Sequence, residues 1–192
     1  MSKTLKRIIT VACLVVLLAA LVLKLTAESE INTIYSGFEL SLDDEGYARA
    51  CDVYVTGTYT RKLFDSDVFK GEIILPEPYR APLEDAFLSE VFIDPGRHSV
   101  LWYNEVVNYR YVTHHPGDIY IRGRFDDFII LLNEQPEEDE QPHHNTISGK
   151  LIVAPAETEE EARRIFSEYY EDEEQEWLRI RVDSYRRNAG VE

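Results

Sequence analysis

The stretch ISGKLIVAPAETEEEARRIFSEYY, residues 147–170, decides the fold. Its first part, Ile147–Val153, is rich in branched apolar residues and reads as a strand. The character changes at Pro155. Thr158 followed by Glu161 is a capping box, in which a hydroxyl accepts from an amide of the first helical turn and a glutamate reaches back. Glu159 and Glu160 suit the positive end of that helix. Ala162, Ile165, Phe166 and Tyr169 then fall at helical spacing on one apolar face. The chain therefore closes a β-rich region with a helix.

Before this point the sequence reads almost entirely as strands and turns. Phe38, Leu40 and Leu42 alternate with polar residues, and Asp43-Asp44-Glu45-Gly46 makes a turn. Val53, Val55 and Tyr59 continue the alternation through Gly57. Leu63 to Phe69 reads as a hairpin connection bent at Asp65–Asp67, and Gly71 marks a bulge or a close backbone approach in the next strand. Leu83–Ile93 fits a short helix or an extended segment, and Asp94-Pro95-Gly96 is a turn. His98–Tyr103 and Val106–Val112 form another β-rich pair. His114-His115-Pro116-Gly117-Asp118 reads as a turn into Ile119–Ile121. Arg122–Asp127 joins that strand to Phe128–Leu132, and Asn133–Asn145 has the composition of an acidic loop. Beyond Tyr170, the apolar positions Trp177, Leu178, Ile180 and Val182 favour a further helix over a last strand. No βαβ alternation occurs. These readings combine into an α+β domain, an antiparallel sandwich or curled sheet with a C-terminal helix.

The amino-terminal residues have a different composition. From Ile8 to Leu23 only Thr10 interrupts an apolar run, and Leu25 extends it if Lys24 snorkels. Such a run, without a polar face, suits a transmembrane helix over residues 8–25. A signal-peptidase site would need a small residue where Leu25 stands ahead of Thr26-Ala27, so an uncleaved signal anchor is favoured. Lys3, Lys6 and Arg7 precede the run, which keeps the amino terminus cytoplasmic and the rest extracytoplasmic at a cell membrane. The division is thus residues 1–27, stub and anchor, and residues 28–192, the outer domain. The first part holds four cations and no acid. With the whole chain at −16, the outer domain carries −20. That balance argues against nucleic acid as a partner. Cys51 is the only cysteine outside the anchor, so the outer domain has no internal disulfide.

Six short stretches carry a resemblance. They are Val55-Thr56-Gly57-Thr58-Tyr59, Leu63-Phe64, Phe69-Lys70-Gly71-Glu72-Ile73, Ile121-Arg122-Gly123-Arg124-Phe125, Phe128-Ile129-Ile130 and Ile152-Val153-Ala154-Pro155-Ala156. In this order the chain resembles a family of small, uncharacterised, membrane-anchored Firmicute proteins over roughly Val53–Tyr170. The resemblance implies an anchored extracytoplasmic β-rich domain and carries over no catalytic residue.

Candidate chemistry is sparse. His114, His115, His143 and His144 form two pairs in expected loops, which with nearby carboxylates would suit zinc or copper. Adjacent histidines point apart on a strand, and no HExxH spacing is present, so solvated loops explain them. The run Glu137–Glu140 lacks the alternating ligands of a calcium loop. Asp65 with Asp67, and Asp126 with Asp127, would suit acid–base work, but turn chemistry explains both. No G-x-S-x-G occurs, and Cys51 reads as a small core residue. Aromatic residues stand out more. Tyr54, Tyr59, Trp102, Tyr103, Tyr109 and Tyr111 lie in strands, where outward-facing members would bind carbohydrate or peptide, although the preference of strands for aromatics explains them without a ligand. The expectation is a tethered, non-enzymatic binding or assembly domain without a cofactor, its partners being the bilayer and an envelope protein or cell-wall component. The alternative is a metal-dependent or hydrolytic envelope enzyme using the histidine pairs.

Overall fold

The computed structural model describes residues 28–62, 66–79, 89–93, 99–107, 110–134 and 147–190, together with short helical pieces within residues 3–17. Among the described residues, eight antiparallel strands form one sheet: β1 (Ser29–Ser41), β2 (Ala48–Thr60), β3 (Asp67–Ile74), β4 (Ser89–Ile93), β5 (Ser99–Val107), β6 (Arg110–Arg122), β7 (Asp127–Asn133) and β8 (Ile147–Ala154). Their order is β4-β3-β2-β1-β8-β7-β6-β5. The first four strands make one meander and β5 to β7 another. β8 lies between them, pairing with β1 from Phe38↔Val153 to Ser41↔Lys150 and with β7 from Phe128↔Ala154. The edge strands β4 and β5 approach each other, so the sheet curls into a half-barrel. Of the two architectures the alternation allows, this is the curled sheet.

Each face of the sheet buries its own core. Inside the curl lie Val53, Val55, Tyr59, Phe69, Ile119 and Ile130 with their neighbours. The outer face, with Leu40, Tyr120, Ile129, Leu131, Leu151 and Val153, is covered by helices. β7 serves both cores at once. This explains why Phe128–Leu132 is apolar without alternation, because neither of its faces meets water. Each such side chain contributes about 1.5–3 kcal/mol on burial.

Helix α1 (Glu159–Glu171), a 3₁₀ turn (Glu173–Gln175) and helix α2 (Glu176–Ala189) form the covering layer. The capping box exists with its return arm shifted by one residue. Thr158 Oγ1 accepts from the Glu161 amide at 3.2 Å, while Glu161 Oε2 accepts from the Glu157 amide at 2.9 Å. Ala162, Ile165 and Tyr169 face the sheet, as the spacing requires. Asp172 ends α1 and caps the 3₁₀ turn through the Glu174 amide, which redirects the chain into α2. Residues 176–189 are therefore helical, with Leu178 and Val182 inward and Trp177 and Ile180 exposed. Arg181 on α2 reaches the buried Asp118 at 2.8 Å.

One turn expected from the sequence does not exist. β6 runs unbroken through His114-His115-Pro116-Gly117-Asp118. The ladder pairs Leu101 with Gly117 and Tyr103 with His114, so two residues, His115 and Pro116, oppose Trp102 alone. This is a β-bulge, a position where the missing proline amide costs no ladder bond. Gly117 follows because a Cβ there would sit 2.1 Å from the Leu131 carbonyl oxygen. Proline and glycine here mark a kinked strand rather than its end. The expected turn at Asp94–Gly96, Asp65 of the bend expected at Asp65–Asp67, most of the Asn133–Asn145 loop and residues 83–88 lie outside the described residues, whereas Asp67 opens β3.

At the amino terminus, Ile9, Thr10 and residues 12–17 are helical and exposed. Ile9, Leu14, Val15, Val16 and Leu17 belong to neither core. Residues 8, 11 and 18–25 of the expected span lie outside the described residues. Among the described residues, no helix is long and apolar enough to cross a membrane.

Candidate functional site

A groove of about 690 Å³ opens at the end of the curl where β1 begins. Three pieces of backbone build it: the exit of β2, the β6–β7 turn and the 3₁₀ turn between the helices. Tyr59, paired in register with Ser29, is buried at its base. The Tyr59 hydroxyl donates to Asp67 Oδ2, with the Gly123 carbonyl oxygen 3.1 Å away. Burial, aided by that carboxylate, pushes the phenol far above its ordinary range. Asp67 also accepts from the Lys62 amide at 2.8 Å, so this carboxylate ties β3 to the exit of β2.

The β6–β7 turn is strained. Gly123 has φ +61°, and Phe125 has φ +63°, a left-handed backbone that a bulky residue rarely adopts. The strain seats the Phe125 ring in the inner core, 5.0 Å from Phe69 and 5.7 Å from Phe128 between centroids. It also leaves Arg124 and Asp126 on the groove. Arg124 places its guanidinium 5.7 Å from the Tyr59 ring centre and donates from Nη1 to Ser29 Oγ at 2.9 Å.

Arg122 has a structural role beside the groove. Its Nε and Nη2 grip both oxygens of Asp127 at 2.7 Å, and its guanidinium lies 4.2 Å from the Tyr169 ring centre. Tyr169 donates to Asp127 Oδ1 at 2.7 Å. The adjacent acids of the sequence therefore divide: Asp127 locks α1 to the sheet, and Asp126 faces the groove.

On the far wall, Gln175 is 5% exposed, and its Oε1 has no hydrogen-bond partner. Arg61, Asp126 and Glu174 also line the groove, and no side-chain hydrogen bond or ion pair engages them among the described residues. Cations and carboxylates line it in equal number, within a domain of strongly negative charge. Nothing in a single sequence marks Gln175, because its position depends on the break between two helices. The Arg122-Gly123-Arg124 run was visible as a turn motif only.

A second polar cluster closes the opposite end of the curl, ten residues or about 33 Å along β1. Glu39 is fully buried there, and it accepts from the Tyr47 hydroxyl at 2.8 Å and from Arg49, with Lys150 Nζ at 3.4 Å. All its oxygens are occupied, so this cluster reads as a structural plug. Cys51 lies on the same face of β2 as Arg49. Burial first, and the Glu39 charge second, push its thiol up to about 11. Burial and the Asp43 hydrogen bond push Tyr185 up to about 12. Raised acids of this kind contribute stability that is full below their unfolded-state values and lost as pH rises through the folded ones. The urea midpoint is therefore expected to fall from about pH 9 to about pH 11, and the early part of that fall should flatten in Cys51→Ala. A midpoint that stays level across this window would rule the coupling out.

The structure separates the residues expected to form one surface. Tyr59 points into the inner core, whereas Tyr54 lies on the other face of β2 and donates to Asn32 Oδ1 at 2.6 Å. Trp102 is exposed at the bulge. The side chains of Tyr103 and Tyr111, and all of Tyr109, lie outside the described residues. His114 and His115 are half-buried strand residues rather than loop residues, and His143 and His144 lie outside the described residues. Among the described residues no three histidine, cysteine or acidic side chains group as metal ligands. No family model, curated protein or solved structure matches the chain.

Proposed function

We propose that this chain is a single-pass membrane protein that holds its β-rich domain outside the cytoplasm, where the domain binds or positions a partner without catalysing a reaction. One observation carries the reading. The helical side chains of Ile9, Leu14, Val15, Val16 and Leu17 stand 44–70% exposed and pack into neither core, and hydrocarbon is the environment that suits such a surface. The flanking charges favour a cytoplasmic amino terminus. The resemblance to anchored Firmicute proteins points the same way, and the partner would be an envelope protein or a cell-wall component.

The test is made on intact cells. The chain is expected to stay with membranes through an alkaline wash, and protease added outside should digest the domain. Crosslinking in the native membrane should then capture a specific envelope partner. Recovery of the full chain in the soluble fraction would overturn the tether, and capture of nothing above background would remove the binding role.

A further inference from the structure

We propose that the groove at the Ser29 end of the sheet binds a zwitterion bearing a protonated amine and a phosphate, the chemistry of an ethanolamine-phosphate headgroup. Gln175 points to such a ligand first. A buried acceptor without a donor is unfavourable, and few survive in folded proteins unless something else supplies the hydrogen. Gln175 Oε1 is such an acceptor, a buried atom of a residue that lines an open groove of a size that suits a small ligand. It calls for a donor, and an ammonium group is a strong one. Asp126 and Glu174, two carboxylates without side-chain partners among the described residues, add the charge an ammonium needs.

The same groove also holds cations. The guanidinium of Arg61 is uncommitted among the described residues, and Arg124 spends one N–H on Ser29. Arginine forks suit phosphate oxygens. A simple anion would meet the carboxylates, and a simple amine would meet the arginines. A molecule with both charges satisfies both sets.

The groove also lies close in sequence to the apolar segment. Only Thr26, Ala27 and Glu28 separate Leu25, the end of the apolar segment, from Ser29, a reach of about 14 Å at full extension. Arg124 is hydrogen-bonded to Ser29 itself, so an anchored chain holds this groove against the outer leaflet. The lipid source rests on the tethered reading above, whereas the zwitterion chemistry does not.

The test uses the full-length, nitrogen-15-labelled chain in maltoside micelles, which carry no phosphate. Phosphoethanolamine should shift the Gln175 side-chain amide and the Gly123 amide saturably. Inorganic phosphate alone and ethanolamine alone should bind about tenfold or more weakly, since each leaves one set of charged partners unused. Gln175→Leu should abolish the response while keeping a dispersed spectrum, and Arg61→Ala should weaken it about tenfold. Nanodiscs containing phosphatidylethanolamine, set against phosphatidylcholine alone, identify the source. The same shifts in the former assign a lipid headgroup; a response to the free compound only assigns a soluble phosphoamine and overturns the lipid source. Absence of a saturable shift, or an unchanged Gly123 response in Gln175→Leu, overturns the site. The alkaline wash reads the tether independently of either result.

Discussion

Gly71→Val is expected to leave the chain without a folded domain. Gly71 faces Gly57 across the β2–β3 ladder, and the edge of the Phe69 ring covers both. A Cβ at position 71 would sit 2.1 Å from the Thr56 carbonyl oxygen and 2.6 Å from the Gly57 Cα. Overpacking elsewhere costs about 1–3 kcal/mol because side chains rotate away. Here the obstacle is the backbone of β2, so relief means parting two paired strands. That would uncover Val55 and Tyr59, which are otherwise sealed inside the curl. Far-UV circular dichroism and amide dispersion of the refolded variant check this; a native-like spectrum would show that the two backbones have room to separate. Gly71→Ala meets the same carbonyl and should fail for the same reason.

Tyr169→Ala should cost about 3–5 kcal/mol, the range for removing a large aromatic ring from a core. Tyr169 is fully buried beneath α1, and its hydroxyl donates to Asp127 as Arg122 closes over the ring. Tyr169→Phe separates the two contributions. It keeps the ring and loses one hydrogen bond, and Arg122 still satisfies Asp127, so the cost should be about 1 kcal/mol. Urea unfolding of both variants measures the difference. A Phe variant as unstable as the Ala variant would mean that the polar network, not the ring, holds α1 on the sheet.

The parts of this fold legible in the sequence are those set by local periodicity. The capping residues Thr158 and Glu161, the stripe from Ala162 to Tyr169 and the doubly buried Phe128–Leu132 each announce their structure within a few residues. Gly71 was legible as a close backbone approach, though its partner Gly57 was not. Pro116 and Gly117 misled because the chemistry that ends a strand also kinks one, and only the neighbouring strand decides which occurs. Tyr59 was legible as a strand residue, while its inward direction depends on which face the curl encloses. The groove was illegible. Arg61, Arg124 and Gln175 lie far apart in the chain and meet only through the curl of the sheet and the break between helices.

The place of β8 between the two meanders has a consequence for how the chain reaches this shape. β1 to β4 can zip together as hairpins while the chain is still being made, and so can β5 to β7, since each joins neighbours in sequence. Neither half can seal its core alone. Phe38 must wait for Val153, and Phe128 for Ala154. A chain cut short before residue 147 is therefore left as two open-edged half-sheets, and β8 is the strand that makes them a single domain.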